Sequence, residues 1–225
     1  MTVGLTLNIA GIVARGVQRA VFLHPHDKSK LIKVLRAVED LPRRQSFGGV
    51  MDRLFPNTRL RQIRKEYAEY MRVMLAHQEP DFASPIAHMY GFVQTNLGLG
   101  CLTENVMEPD GRLGPTLGAK AKAKTLTEQD VDLLNDTISR IYQNGIRASD
   151  MNPSNFVFGH RDVGGVLGPR ECVLVDGFGD IHAIPVRSMA QWSNRIGLDD
   201  SCHRLARNTG LHWDKAHRRF SLLPA

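Results

Sequence analysis

The 225-residue sequence predicts an α+β chain in two parts, a small antiparallel-sheet portion followed by a shortened, mainly helical one. Three observations carry this. Strand-length apolar runs parted by turns occupy residues 7–13, 18–23 and 31–35 and return at 88–95 and 101–106. A helical pattern interrupts them from about 58 to 76, where Leu60, Ile63, Tyr67, Tyr70 or Met71 and Met74 recur on one face. Beyond a boundary near residue 106 the pattern turns helical again, with Val131, Leu134, Ile138 and Ile141 at helix spacing. The expected parts are residues 1–106 and 107–225.

The first hairpin is expected at 7–13 and 18–23 around a turn at 14–17. Its Gly11 and Gly16 would let backbone approach a phosphate, although a plain hairpin accounts for two glycines as well. His24 to Lys28 turns the chain into Leu31-Ile32-Lys33-Val34-Leu35, an apolar run with one lysine inside it. A lysine so placed ordinarily lays its stem on apolar surface and keeps its ammonium in water. Residues 39–57 carry Pro42, Gly48, Gly49 and Pro56 and read as a loop or irregular insertion. On the helix that follows, Glu66 lies beside the apolar face between basic neighbours, the arrangement of a surface ion pair. Pro80 and Pro85 end that helix. Lys120, Lys122 and Lys124 alternate in a small-residue segment that reads as exposed. Thr127 with Asp130 then starts a helix that Asn144-Gly145 closes.

The chemistry concentrates between Ser149 and Asp180. Asp150 is followed by a loop with Pro153, by Asn155, and by the apolar run Phe156-Val157-Phe158. A second run, Cys172-Val173-Leu174-Val175, ends on Asp176 and Gly177. Two such runs joined by glycines read as a hairpin, so Asp150, Asn155 and Asp176 converge at one end of it. Protein kinases present a base as Asp-x-x-x-x-Asn on a loop and their Mg²⁺ ligands from that Asn and an Asp after a strand. A carboxylate within hydrogen-bond reach of a hydroxyl can take its proton, which suits Asp150. Mg²⁺ takes oxygen ligands, one or two from protein and the rest from phosphate and water, which suits Asn155 and Asp176. Each residue alone could equally shape a turn or end a strand. The spacing of the set is what points to phosphoryl transfer.

Taken in order, Gly11 and Gly16, Lys33, Glu66, Glu104 to Val106, Asp150, Asn155 and Asp176 resemble a compact, bilobal protein-kinase-like chain. Its pieces Leu31-Ile32-Lys33-Val34, Lys65-Glu66-Tyr67, Tyr90-Gly91-Phe92-Val93, Thr95-Asn96-Leu97-Gly98-Leu99-Gly100 and Asp176-Gly177-Phe178-Gly179 are similar to the YrbL family of the PhoP regulatory network, over roughly residues 5 to 190. The resemblance implies Lys33 on the α- and β-phosphates of ATP and Glu66 orienting it, both in the small lobe. It also implies adenine gripped by the backbone from Glu104 to Val106, Mg²⁺ on Asn155 and Asp176, and Asp150 as base. Three features depart from the kinase pattern. The first loop lacks a third glycine, Arg147-Ala148-Ser149-Asp150 stands where His-Arg-Asp would be, and Gly177 is inserted before Phe178, making Asp180 a competing ligand or a cap.

Composition bounds the rest. Hydrophobic residues are 42% and charged residues 23%, the balance of a soluble globular protein, and no apolar run is long enough to cross a bilayer, so a cytoplasmic protein is expected. Three widely spaced cysteines argue against a disulfide framework. The net charge of +6 fits a cleft that attracts a polyphosphate, and without a nucleic-acid module it makes a nucleic-acid role the weaker reading. The 45 residues 181–225 are expected to form one or two short helices, too little for a peptide-substrate platform. Trp192 and Trp213 read as core or rim anchors, and His203, His212 and His217 as surface residues without a carboxylate partner. The sequence thus points to an ATP- and Mg²⁺-dependent phosphotransferase acting on a small-molecule, sugar or lipid-linked glycan hydroxyl. The alternative is a pseudokinase, a nucleotide-binding regulatory module that engages a protein partner without turnover.

Overall fold

The structure is a computed structural model that describes residues 4–16, 18–36, 57–79, 82–180 and 191–223. The insertion expected at 39–57 lies outside the described residues except for Asn57, as does the stretch at 181–190. The chain divides into two compact units, Met1–Ile63 with His88–Asn105, and Arg64–Ala87 with Val106–Ala225.

The first unit is built on a five-stranded antiparallel sheet. Its strands β1 (Ile12–Arg15), β2 (Arg19–His24), β3 (Asp27–Leu35), β4 (Met89–Thr95) and β5 (Gly98–Glu104) lie in the order β1-β2-β3-β5-β4. The helix Asn57–Ala76 falls between the third and fourth of these strands in the chain. Residues Leu31 to Val34 of β3 are buried on both faces, and Ile32 and Val34 join Leu7, Ala20 and Phe22 in the core. The first strand is shorter than expected. Asn8 accepts from the Ala10 amide with its side chain and from the Gly11 amide with its carbonyl, winding Ile9–Gly11 into a 3-10 turn and leaving β1 to cover the expected turn.

The Thr95 to Gly100 motif is accounted for by folding. Thr95 Oγ1 donates to the Gly98 carbonyl (2.6 Å) and accepts from the Leu97 amide (3.1 Å), closing the β4–β5 turn. Asn96 clips the N-terminal segment to that turn, accepting from the Leu7 amide at 2.7 Å and donating to the Leu7 carbonyl at 3.1 Å. Gly100 faces Ile32, and a β-carbon there would stand 2.5 Å from Ile32 Cγ2, so only glycine lets β3 and β5 pack with that isoleucine between them.

Helix α1 (Asn57–Ala76) carries a burial pattern unlike the expected one. Leu60 and Met71 are exposed, and the buried positions are Glu66, Glu69 and Val73. The reason lies in what this face meets, which is largely polar backbone, described below.

In the second unit, α2 (Leu117–Ala123) precedes α3 (Glu128–Gln143), whose Thr127–Asp130 capping box is present as expected. Val131, Leu134, Ile138 and Ile141 are buried on α3. The hairpin of β6 (Phe156–Val163) and β7 (Val166–Leu174) runs further than its two apolar runs, turning at Gly164-Gly165 with positive φ at both, the turn that matches strand twist. Thr137 on α3 donates to the Cys172 carbonyl of β7 at 2.6 Å, tying helix to hairpin.

After 190 the expectation of short helices is corrected in part. Helix α4 (Gln191–Thr209) forms, and then the period changes from helical to alternating. Leu211 and Trp213 turn inward with His212 outward, giving β8 (Leu211–Asp214), which pairs with β9 (Arg219–Leu222). Asn135 of α3 seals this hairpin, accepting from the Phe220 amide (2.6 Å) and donating to its carbonyl (3.0 Å). Trp213 is buried against Phe220, whereas Trp192 is 69% exposed and anchors nothing in the core. His217 does have a carboxylate neighbour, Asp214 Oδ2 at 2.6 Å, formed because the β8–β9 turn brings the two together. All three cysteines are buried and none is in a disulfide. Among the described residues no helix is long and apolar enough to cross a membrane.

Candidate functional site

The second unit gathers Asp150, Asn155 and Asp176 at the open end of the β6–β7 hairpin. Asn152 caps a 3-10 turn at Pro153–Asn155, and Asn155 hands the chain to β6. The Val175 amide donates to the Asn155 carbonyl (2.8 Å), so Asp176 leaves β7 beside the residue that opens β6. Asn155 Nδ2 donates to the Asp150 carbonyl (3.0 Å), which closes the loop on itself. With its nitrogen held inward, the amide oxygen is the end able to meet a cation.

The inserted Gly177 is what seats Asp176 against this loop. Its φ is +79°, and a β-carbon on it would overlap the Asp150 carbonyl and come within 2.8 Å of Asn155 Nδ2. The Asp150 amide donates to the Gly177 carbonyl (3.1 Å) and the Gly179 amide to the Arg147 carbonyl (2.7 Å), with Ala148 bridging Phe178 and Gly179. A short backbone ladder therefore holds Arg147 to Asp150, in the place of the missing histidine buttress.

The same turn reaches α1. Gly179, at φ +96°, lies so close that a β-carbon would stand 2.8 Å from the Lys65 carbonyl, and Lys65 Nζ donates to the Asp180 carbonyl. Glu66 is thereby fixed in the second unit rather than the small-sheet unit where it was expected. One turn further along, Glu69 is 3% exposed and accepts from the Arg147 amide (2.8 Å), Arg147 Nη1 (3.3 Å) and Arg72 Nη2 (2.6 Å). Arg72 continues to the Gly145 carbonyl (3.1 Å). Glu69 was not singled out from sequence, although a second glutamate at i+3 from Glu66 was the available signal.

Electrostatics distinguish the two aspartates of the loop and the strand end. Burial, and then the neighbouring Asp176 carboxylate, raise the Asp150 carboxyl above its ordinary value, with Arg204 opposing them. The donor set, an amide oxygen and a carboxylate, is hard and oxygen-only, which fits Mg²⁺. Among the described residues no group of three or more His, Cys, Asp or Glu side chains could hold a metal alone, so a cation here would rely on phosphate and water as further ligands.

The remaining expected residues lie as follows. Lys33 is buried on β3, across from Val21 on β2 and Cys101 on β5. Glu104 is buried at the end of β5, its Oε2 accepting from the His88 amide (3.1 Å). The Asn105 amide is taken up by the Ser29 carbonyl (2.8 Å) and the Val106 carbonyl accepts from the Gly114 amide (3.0 Å). Gly11 and Gly16 donate their amides inside their own turns, to Asn8 and Arg19 carbonyls, and neither has positive φ. A phosphate role for these two glycines therefore leans on close backbone approach alone.

The model of the family described as PhoP regulatory network protein YrbL matches residues 5–210. No curated protein matches the chain. Among solved structures it is similar to one described as Rad53 1-466 in complex with AMP-PNP, at 14% identity and a TM-score of 0.44. That likeness covers 90% of this chain and 51% of the other, so the chain spans about half the length of that neighbour.

Proposed function

The chain belongs to the YrbL family, and on that premise we propose that it is an ATP- and Mg²⁺-dependent phosphotransferase acting on the hydroxyl of a small molecule, a sugar or a lipid-linked glycan. The observation that supports this most is the seating of Asp150, Asn155 and Asp176 at one hairpin end, fixed by backbone hydrogen bonds and by the Asn155 side chain on the Asp150 carbonyl. Asp150 accepts the proton of the attacking hydroxyl, and its raised affinity for that proton suits a base that must hold it through transfer. Asn155 and Asp176 are the residues that would hold the cation, which supplies charge neutralisation for the phosphates when bound. The resemblance supplies the other roles in this proposal: Lys33 and Glu66 in phosphate positioning and the backbone from Glu104 to Val106 for adenine.

ATP turnover tests this, comparing native protein with Asp150→Ala and Asp176→Ala. Loss of a positioned base is expected to lower the rate by about 10²- to 10⁴-fold. Equal rates in all three proteins overturn the catalytic reading. Mg²⁺-dependent ATP binding with no turnover in the native chain selects the regulatory, pseudokinase alternative, for which the locally engaged amides of Gly11 and Gly16 speak.

A further inference from the structure

Helix α4 has two faces of different character. Leu198, Cys202, Leu205 and Ala206 are buried, while Asp200, His203, Arg204 and Arg207, at spacings of three, one and three residues, lie exposed along one side. These four line a depression of about 450 Å³, within the range of roughly 300–1,000 Å³ usual for small-molecule sites. Three of the four can carry positive charge and one is a carboxylate. Ser201 Oγ accepts from Arg204 Nη2 at 2.9 Å, which steadies that guanidinium.

What separates this from an ordinary solvated face is its position. The helix packs against the Pro153–Asn155 turn and against α2, in the unit that carries Asp150 and Asn155. A base waiting for a hydroxyl thus has, on the adjoining helix of the same unit, a fork of arginines and no chemistry yet assigned to them.

We propose that this depression anchors the acceptor, and that the acceptor is a hydroxylated small molecule already bearing a phosphate monoester, held by Arg204, Arg207 and His203. The inference rests on the phosphotransferase reading above and adds the class of substrate to it. Two guanidinium groups with an imidazole supply enough donors for the three terminal oxygens of a monoester. Asp200 accepts from a hydroxyl of the same ligand and so favours a polyol phosphate over bare phosphate. In the transfer, the acceptor hydroxyl oxygen bonds to the γ-phosphorus of ATP as the bond from that phosphorus to the β,γ-bridging oxygen breaks. ADP leaves, and the hydroxyl proton goes to Asp150. The product is a bisphosphorylated molecule.

The test is binding of glycerol 3-phosphate, inorganic phosphate and acetate to the full chain, followed by ligand-observed NMR at 150 mM NaCl, with Mg²⁺·ATP binding measured on the same samples. The proteins are native, Arg204→Ala, Arg204→Lys, Arg207→Ala and Arg195→Ala, the last an exposed arginine of α4 outside the depression. Glycerol 3-phosphate is expected to bind native protein more tightly than either simple anion. Affinity is expected to fall at least tenfold in Arg204→Ala and Arg207→Ala, to recover in part in Arg204→Lys, and to hold in Arg195→Ala, with nucleotide affinity unchanged throughout. No binding to native protein, equal binding by the alanine variants, an equal loss in Arg195→Ala, or acetate binding as well as the phosphates each overturn the proposal. Arginine-dependent glycerol 3-phosphate binding in a chain that binds no nucleotide overturns the acceptor role through failure of the parent reading, and the parallel nucleotide titration identifies that case.

Discussion

Gly177 lies directly against the Asp150 backbone, its carbonyl accepting from the Asp150 amide at 3.1 Å and leaving no room for a β-carbon between them. The glycine that breaks the kinase pattern in the sequence is the residue that allows Asp176 to approach the loop of Asp150 and Asn155. Both its positive φ and its contact depend on the missing side chain.

Gly177→Ala therefore adds backbone strain and displaces the loop at once. Strain of this kind costs about 1–3 kcal/mol. Urea unfolding is expected to show a loss in that range, and Mg²⁺·ATP binding is expected to weaken even under conditions where the variant remains folded. Unchanged stability and unchanged binding would mean that the contact is dispensable.

Glu69 ties α1 to the segment that leads into Asp150. Its carboxylate is buried, but Arg72 and Arg147 are each about a third exposed (34% and 30%), so solvent screens part of the attraction. The main loss on substitution is the charged acceptor for the Arg147 amide, worth about 1.5–3 kcal/mol. Glu69→Ala is expected to lower stability by about that amount and Glu69→Gln by less. Amide exchange at Arg147 is the specific readout, and it should accelerate in the alanine variant. Exchange at native rate would remove the positioning role.

Asn96 should behave as a structural clip and not as a site residue. Asn96→Ala removes two hydrogen bonds to Leu7, each worth about 1 kcal/mol. Faster exchange of the Leu7 amide with unaltered nucleotide affinity is the expected result. A loss of nucleotide binding at native stability would give the motif a different meaning.

Asp130 sets an acid limit on stability. Burial alone would raise its carboxyl, but the Thr127 amide and hydroxyl, Lys120 and Arg170 more than offset it and hold the group below the ordinary value. A lowered folded value contributes stability that is complete above the unfolded value near pH 4, and it is lost as pH falls through the folded one. The urea midpoint of native protein should drop between pH 6 and pH 3 by more than that of Asp130→Asn. Parallel drops would contradict this assignment.

Much of the fold was legible because its signals are local. The β3 run around Lys33, the Thr127–Asp130 capping box and the hairpin ending at Asp176 each follow from period, capping or turn chemistry. Helix α1 was placed correctly but its buried face was misjudged, since apolar periodicity assumes an apolar partner and this helix meets the Gly179 turn and the Arg147 amide. The β8–β9 hairpin was hidden by basic residues between Trp213 and Phe220, where Asn135, 85 positions from Phe220, closes the pairing. Arg204 gives no local signal, because its place beside the Asn155 turn exists only once α4 packs on Pro153–Asn155. Local pattern could supply the Asp150, Asn155 and Asp176 set, and only tertiary contact could supply Glu69 and Arg204.

The most direct test of the central claim, that Asn155 and Asp176 hold a cation beside ATP phosphates, is the shift in unfolding free energy produced by Mg²⁺·ATP. At 100 times its dissociation constant the ligand should stabilise native protein by about 2.7 kcal/mol. The account expects this shift to require Mg²⁺ and to disappear in Asp176→Asn and Asn155→Ala. A native shift of zero, or one that persists in both variants, would contradict it.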